Sequence, residues 1–504
     1  MGRNLVRIPV KLPPGMFGNG TRGQAAGRVR GGSLSRFFDG AWGPIGGWRR
    51  RAPQSGLSVV TGKARTIFGW RPSSTAAWVA IGTHSNLYVQ SESALIADIT
   101  PTGLVTGRAD ASAGGGYGRG FYGRGTYDSP RLTKSVLAAS MWSFDSWGSD
   151  VVGVQSEDGR AWTWQLNPAN KATAVPNAPT CTALVVTPER ALMLLAAGGN
   201  PRRVAWSDWE NYSSWTASAL NKAGNIDLQT AGILLAGRVV RNRTLIWTDI
   251  DLWTCTKRAG LLVYEFDKAG ERCGAISRNA MAVYGDKAVW MGLESFHGFD
   301  GFVKPLLCEV SDAVFGDFNS GQASKVVCWH NSAFQEVTWH YPSSSSIELD
   351  RYVSYNYLSD TWTMGSLVRT AVMDRGATQY PMAVGVDGYV YEHEVGGGYD
   401  GVTPFVLTGP IALVPPGERR NVDRQMTARY IQADTITSPG EVRVTAYPRR
   451  RRMEPPGAVG PFTLSGSQTP VRFTGREVDL KLEFLTAAAR AGEFELDVAP
   501  RGER

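Results

Sequence analysis

From Gly56 onward, apolar residues come in short runs or alternate with polar ones, and Gly, Ser, Asn or Asp breaks each run. ARTIFGW (64–70), AAWVAIGT (76–83) and SNLYVQS (85–91) have this form. Runs of four to eight residues bounded by turn formers predict strands. In SDVVGVQSEDGRAWTWQLN (149–167), Val151 to Gln155 and Ala161 to Leu166 read as the arms of a hairpin. Asp158-Gly159 between them supplies the positive φ that tight turns need. Similar units follow, each a small apolar strand, a polar turn and a strand carrying Trp or Tyr. Examples are Trp206 and Trp209, Trp247 and Trp253, Trp290 and Phe296, Trp329 and Trp339, Tyr389 and Tyr391.

The units recur roughly every 40 to 50 residues, the size of a four-stranded propeller blade. The expected fold is all-β: a β-propeller of six or seven divergent blades over 57–404. A stack of separate sandwiches is the competing architecture, and no linker interrupts the series to favour it. The stretch WSDWENYSSWTAS (206–218) holds three tryptophans among turn residues. It reads as strand, edge turn and strand, with Trp206 and Trp215 filling the space between sheets; a sugar-stacking platform is the other reading. Residues 405–504 alternate clearly. Val478, Leu480, Leu482 and Phe484 face one side of a strand, and Glu477, Asp479, Lys481 and Glu483 the other. This predicts a C-terminal β-sandwich or an augmentation of the last blade.

Charge changes the picture at the N-terminus. The chain carries +8 overall, but residues 1–51 hold ten cations and one anion, Asp39. Residues 1–56 therefore read as an extended basic arm, either a docking segment for an acidic or nucleic-acid partner or a solvated tail. Phe37, Phe38, Trp42 and Trp48 beside Arg36 are its candidate anchors, and removing residues 1–30 is expected to impair assembly while leaving the propeller folded. A second candidate contact is the Gly/aromatic segment 111–128, with Tyr117, Arg119, Tyr122 and Arg124. Seven glycines there exclude a helix and make a poor strand interior.

Candidate chemistry is sparse. Five Cys show no metal or disulfide spacing, and the reading is free thiols in a reducing cytoplasm. No apolar run has the length of a signal peptide or a membrane span. The five His form no zinc motif, and no nucleophile elbow or phosphate loop occurs. SEDGRAW resembles the aspartate turn of sialidase propellers, with its Gly one place early. The expectation is a protein that is not an enzyme and takes no cofactor or metal. The alternatives are a receptor- or polysaccharide-binding tail protein and a propeller glycoside hydrolase.

RVRGGSLSRFFDGAWGPIGGWRR (28–50) resembles the opening of the tail nozzle (tail hub or stabilisation) proteins of short-tailed bacteriophages. The matching residues are Ser33, Arg36, Phe37, Gly40, Ile45, Gly46, Gly47 and Trp48. The Gly-Tyr-Gly segment at 114–125, WVAIGTHSNLY (78–88), WSDWENYSSWT and the ending GPF…GREVDLKLEF…GEFELDV also resemble that family. The resemblance implies a virion protein assembled in the host cytoplasm, repeated about sixfold below the adaptor ring, with tail fibre or tail-tip proteins as further neighbours. It further implies a lumen in which DNA is held and then passed without sequence-specific binding. Outside the arm the charge sums to −1, which predicts a near-neutral or acidic lumen, with the arm and Arg449 to Arg452 directed at protein neighbours.

Overall fold

The structure, a computed structural model of the 504-residue chain, describes residues 5–53, 56, 58–72, 76–113, 136–258, 263–413, 425–451, 454–465 and 468–501. It is all-β. Among the described residues, seven four-stranded antiparallel sheets follow one another along the chain: sheet 1 (64–98), sheet 2 (142–174), sheet 3 (183–227), sheet 4 (234–270), sheet 5 (281–306), sheet 6 (327–366) and sheet 7 (371–393). Sheets 1 to 6 are meanders in chain order. Sheet 7 has three strands of its own and takes Trp48–Arg50 as its fourth, with Trp48 opposite His393 and Arg50 opposite Tyr391.

Consecutive sheets pack face to face through apolar clusters. Ile67, Val79 and Ile81 of sheet 1 meet Met373, Val384 and Val390 of sheet 7. Trp70, Trp142, Trp162 and Trp164 fill the space between sheets 1 and 2. The large rings recur at one position: Trp247, Trp290 and Trp339 all lie on second strands and are fully buried. Two of their ring N–H groups donate to backbone carbonyls, Trp290 to Cys273 (2.6 Å) and Trp339 to Ala280 (2.8 Å). This satisfies the polar edge of a ring whose body is dry.

The predicted hairpin forms, with Val151 opposite Trp164, Val154 opposite Ala161, and Gly159 at φ +75°. Asp158 organises its turn, accepting from Trp162 Nε1 (3.0 Å), Arg160 Nε (3.2 Å) and the Val105 amide (3.0 Å). The stretch 206–218 differs from its reading. Arg203–Trp206 is a strand, but the next strand begins only at Gly224, so Trp215 lies in a loop. Asp208 ties that loop together by accepting the Trp209 (2.9 Å) and Lys222 (2.8 Å) amides. Trp206 is buried against Tyr264 and Phe266, whereas Trp215 is half-buried beside Trp147. Trp206→Ala is expected to cost about 3–5 kcal/mol, the range for deleting a buried ring. Trp215→Ala should cost clearly less, and chemical denaturation of the two variants checks the order.

The remaining strands build a two-sheet sandwich. One sheet has the order Val6–Val10, Phe494–Arg501, Gln425–Ala433, Thr469–Gly475. The other runs Val29–Ser33, Phe405–Thr408, Glu477–Phe484, Val442–Arg449, Val459–Thr463. The expected C-terminal sandwich is thus completed by the N-terminus, which gives an edge strand to each sheet. Val478, Leu480, Leu482 and Phe484 face its core as expected. Asp479 is buried too, because Arg22 of the N-terminal segment covers it.

The N-terminal segment therefore does not stand out as an extended arm. It threads strand, loop, strand, hairpin and strand through the sandwich and sheet 7, and deleting residues 1–30 would remove Val6–Val10 and break into Val29–Ser33. The physical reason lies in its apolar positions: Ile8, Val10, Leu12, Met16, Val29, Leu34, Trp42 and Trp48 are all buried.

Candidate functional site

Two regions carry functional weight: the joint made by the N-terminal segment, and a central cavity.

At the joint, the hairpin Ser35–Phe38 and Ala41–Pro44 turns through Asp39 and Gly40, both at positive φ. It carries Arg36 into the seam between sheets 6 and 7. There the guanidinium bonds Glu336 (2.7 Å) and Glu394 (2.8 Å) and lies 3.7 Å above the Phe334 ring. Burial opposes its charge, but the two carboxylates outweigh that and hold its pKa above the usual value. Glu394 also accepts the Gly46 amide (2.8 Å). The chain comes so close here that a Cβ on Gly46 would lie 2.4 Å from the Glu394 Cα, and one on Gly47 2.6 Å from the Gly398 carbonyl. Trp48 follows, donating to Asp400 (2.6 Å) beneath the Arg369 guanidinium.

Of the predicted contacts, Arg36, Trp42 and Trp48 are thus buried inside the chain. Phe37 is half-buried edge-on to Trp42, and Phe38 is partly exposed between Phe334 and Arg490. Tyr117, Arg119, Tyr122 and Arg124 lie outside the described residues, in the segment bracketed by the paired Ser112–Ala113 and Val136–Leu137. The basic charge is largely met in cis. Arg7 pairs with Glu495 and Asp497, Arg22 with Glu477 and Asp479, Arg28 with Glu309, Arg49 and Arg51 with Glu392, and Arg50 with Asp387. With Arg36, seven of the ten cations have carboxylate partners in the same chain. Arg449 likewise turns inward, donating to the Glu454 carbonyl (2.5 Å) with Asp479 at 3.9 Å.

Behind Arg36 the same seam holds His340, His393 and Arg369, all buried. Arg369 Nε donates to His393 Nε2 (2.9 Å), which requires a neutral ring there. Burial first, then Arg369, pushes His340 down to about 3 and His393 well below its usual value. A histidine kept neutral in the fold but free to protonate at about pH 6.5 when unfolded withdraws stability as pH falls below 6.5. Each costs about 1.4 kcal/mol per pH unit until its folded pKa is reached. Between pH 6.5 and 5, His340→Gln is expected to flatten the acid loss by roughly 2 kcal/mol. An unchanged slope in urea unfolding at the two pH values would remove His340 from this role.

The central cavity, about 500 Å³, is lined by the first strands of all seven sheets or by residues adjoining them: Phe68, Asp145, Val186, Arg238, Asn279, Val327 and Val372, one from each. Asp145 accepts the amides of Val186 (2.8 Å) and Ser146 (2.8 Å). Asn279 reaches across the centre to Thr66 Oγ1 (2.9 Å) and the Trp142 carbonyl (3.5 Å). Arg238 donates to the Gly237 carbonyl (2.8 Å) and to Asn279 Oδ1 (3.4 Å). Beside the cavity lies a group of charges in which Arg65 and Lys325 are fully buried and Asp110 reaches the surface. Arg65 bonds Glu348 (2.8 Å) and the Ala109 carbonyl (3.1 Å), and Lys325 bonds Asp110, Glu348 and the Ile347 carbonyl.

Sequence reasoning missed these residues. The available signal was a charge within an apolar strand, Arg238 in LLAGRVV and Asp145 in MWSFDSW. Among the described residues, no three His, Cys, Asp or Glu side chains gather as a metal site. No helix among them is long and apolar enough to cross a membrane. None of the 17 tryptophans is fully exposed.

No family model matches the chain, and no curated protein matches it. Solved structures resemble the chain only weakly. Virginiamycin B lyase from Staphylococcus aureus is 8% identical over 68% of this chain and 98% of its own, with a TM-score of 0.42. PorZ, a surface component of the type-IX secretion system of Porphyromonas gingivalis, is 9% identical over 85% of this chain and 53% of its own, at 0.37. KlHsv2 is 12% identical over 60% and 84%, at 0.31.

Proposed function

We propose that this chain is a structural subunit of the tail nozzle of a short-tailed bacteriophage, and that its seven four-stranded sheets are the blades of one propeller. Copies of the chain, about six, form a ring on the tail axis below the adaptor ring. One observation carries the reading. The residues of 28–50 that carry the first part of the resemblance converge on a single joint. Ser33 bonds the Ser366 amide (3.1 Å) on the outer strand of sheet 6, Arg36 locks Glu336 and Glu394, Ile45 accepts from Tyr399 (2.6 Å), and Gly46, Gly47 and Trp48 fasten sheet 7. A motif spent on joining two halves of a chain suits a scaffold, where a catalytic motif would spend its charges on a ligand.

DNA would pass between copies and not through the chain's own centre, which Asn279 spans. With most cations of residues 1–51 neutralised in cis, few are left to grip phosphates and slow passage. The glycan-platform reading has no tryptophan more than partly exposed to work with. The test is native mass measurement of the 54.6 kDa chain, alone and with the adaptor-ring protein of the same virion. Rings of about six copies are expected; a chain that stays monomeric under both conditions sinks the proposal.

A further inference from the structure

The central cavity has the size and lining of a small-molecule site. Its volume of about 500 Å³ falls within the roughly 300–1,000 Å³ typical of such sites. Ile67, Phe68, Phe144, Val239 and Met281 give it apolar walls, and Thr66, Asp145, Arg238 and Asn279 place a few polar groups among them. Of the three charged groups in the lining, Arg65 is already paired with Glu348 (2.8 Å), and Asp145 and Arg238 are held in place facing the space. Asp145 is fixed by the Ser146 amide of its own strand and the Val186 amide of the next sheet, and Arg238 by its own strand's carbonyl and by Asn279. Arg238 has five N–H donors, and those two bonds leave part of its fork for an oxyanion.

Asp145 and Arg238 act on each other across the space by charge, and burial works against both: it raises the carboxyl pKa and lowers that of the guanidinium. Charges in such a place need water or a ligand of matching charges. A phosphate would meet the Arg238 guanidinium but also the Asp145 carboxylate. A simple amine would have the reverse problem. A molecule carrying both signs satisfies the two at once, and its apolar part meets the phenylalanines and Met281.

We propose that the central cavity binds a small zwitterion with an apolar side chain, an amino acid or a short peptide, with its carboxylate on Arg238 and its ammonium on Asp145. Titration calorimetry of the full chain with leucine and phenylalanine tests this. The controls are the matching carboxylic acids, which lack the amine, the matching amines, which lack the carboxylate, and galactose as a neutral ligand. The zwitterion should bind saturably and at least about tenfold more tightly than either half-molecule. Arg238→Met and Asp145→Asn should each weaken it by at least about tenfold while melting as the parent does. The comparison among ligands on the parent protein stands even if a variant fails to fold. Absence of saturable binding at millimolar amino acid, equal binding of a half-molecule, or preference for galactose would each overturn the assignment.

Discussion

Arg36→Met is expected to lower the unfolding free energy by about 3–5 kcal/mol, the usual loss when one member of a buried ion pair is removed. The side chain is closed off from solvent and bonds two carboxylates from two sheets. Without it, Glu336 and Glu394 remain buried as adjacent like charges, and the Phe334 ring loses its cationic cover. The loss should change little with added salt, since ions screen buried pairs weakly. A compensated variant separates charge from packing: Arg36→Met with Glu336→Gln and Glu394→Gln removes the stranded charges and should recover much of the loss. If Arg36→Met unfolds in denaturant like the parent chain, the seam between sheets 6 and 7 does not depend on this residue.

Deleting residues 1–51 should have a larger effect still: no soluble, cooperatively unfolding monomer. The deletion removes one edge strand from each sandwich sheet and the fourth strand of sheet 7. It strips Met16, Val29, Trp42 and Trp48 from cores they fill. The exposed edges at Phe494–Arg501, Phe405–Thr408 and Val390–His393 would invite pairing with other chains. Deleting residues 1–5 should be tolerated, because among the described residues pairing begins at Val6. Soluble yield and limited proteolysis distinguish the two. A well-folded product lacking residues 1–51 would mean that the N-terminal segment is an accessory after all.

Local patterns carried much of this architecture into the sequence. The strands around Val151 and Trp162, and the alternation of Val478 to Phe484, can be read because period-two burial shows in any short window. The destination of the N-terminal segment could not be read that way. Ten cations in 51 residues look like a solvated or docking face until their partners, Glu336, Glu394, Glu392, Glu477 and Asp479, are known. Those partners lie 300 or more residues away, beyond any local pattern. The cavity was hidden for a similar reason: Asp145, Arg238 and Asn279 meet only once several sheets have assembled. Trp215 is the opposite case: its place beside turn residues reads as a strand, and a loop tied by Asp208 stands there.

The pairing of Val6–Val10 with Phe494–Arg501, and of Trp48–Arg50 with Val390–His393, also fixes a timetable. The ribosome makes the first partners hundreds of residues before the second. At roughly 5–20 residues per second, the leading strands wait tens of seconds for their mates. During that interval Trp42 and Trp48 have no home, while sheets 1 to 6 can already form from neighbouring strands. The chain is therefore finished before it is fastened, and a truncated translation product would lack the very segments that its first fifty residues need.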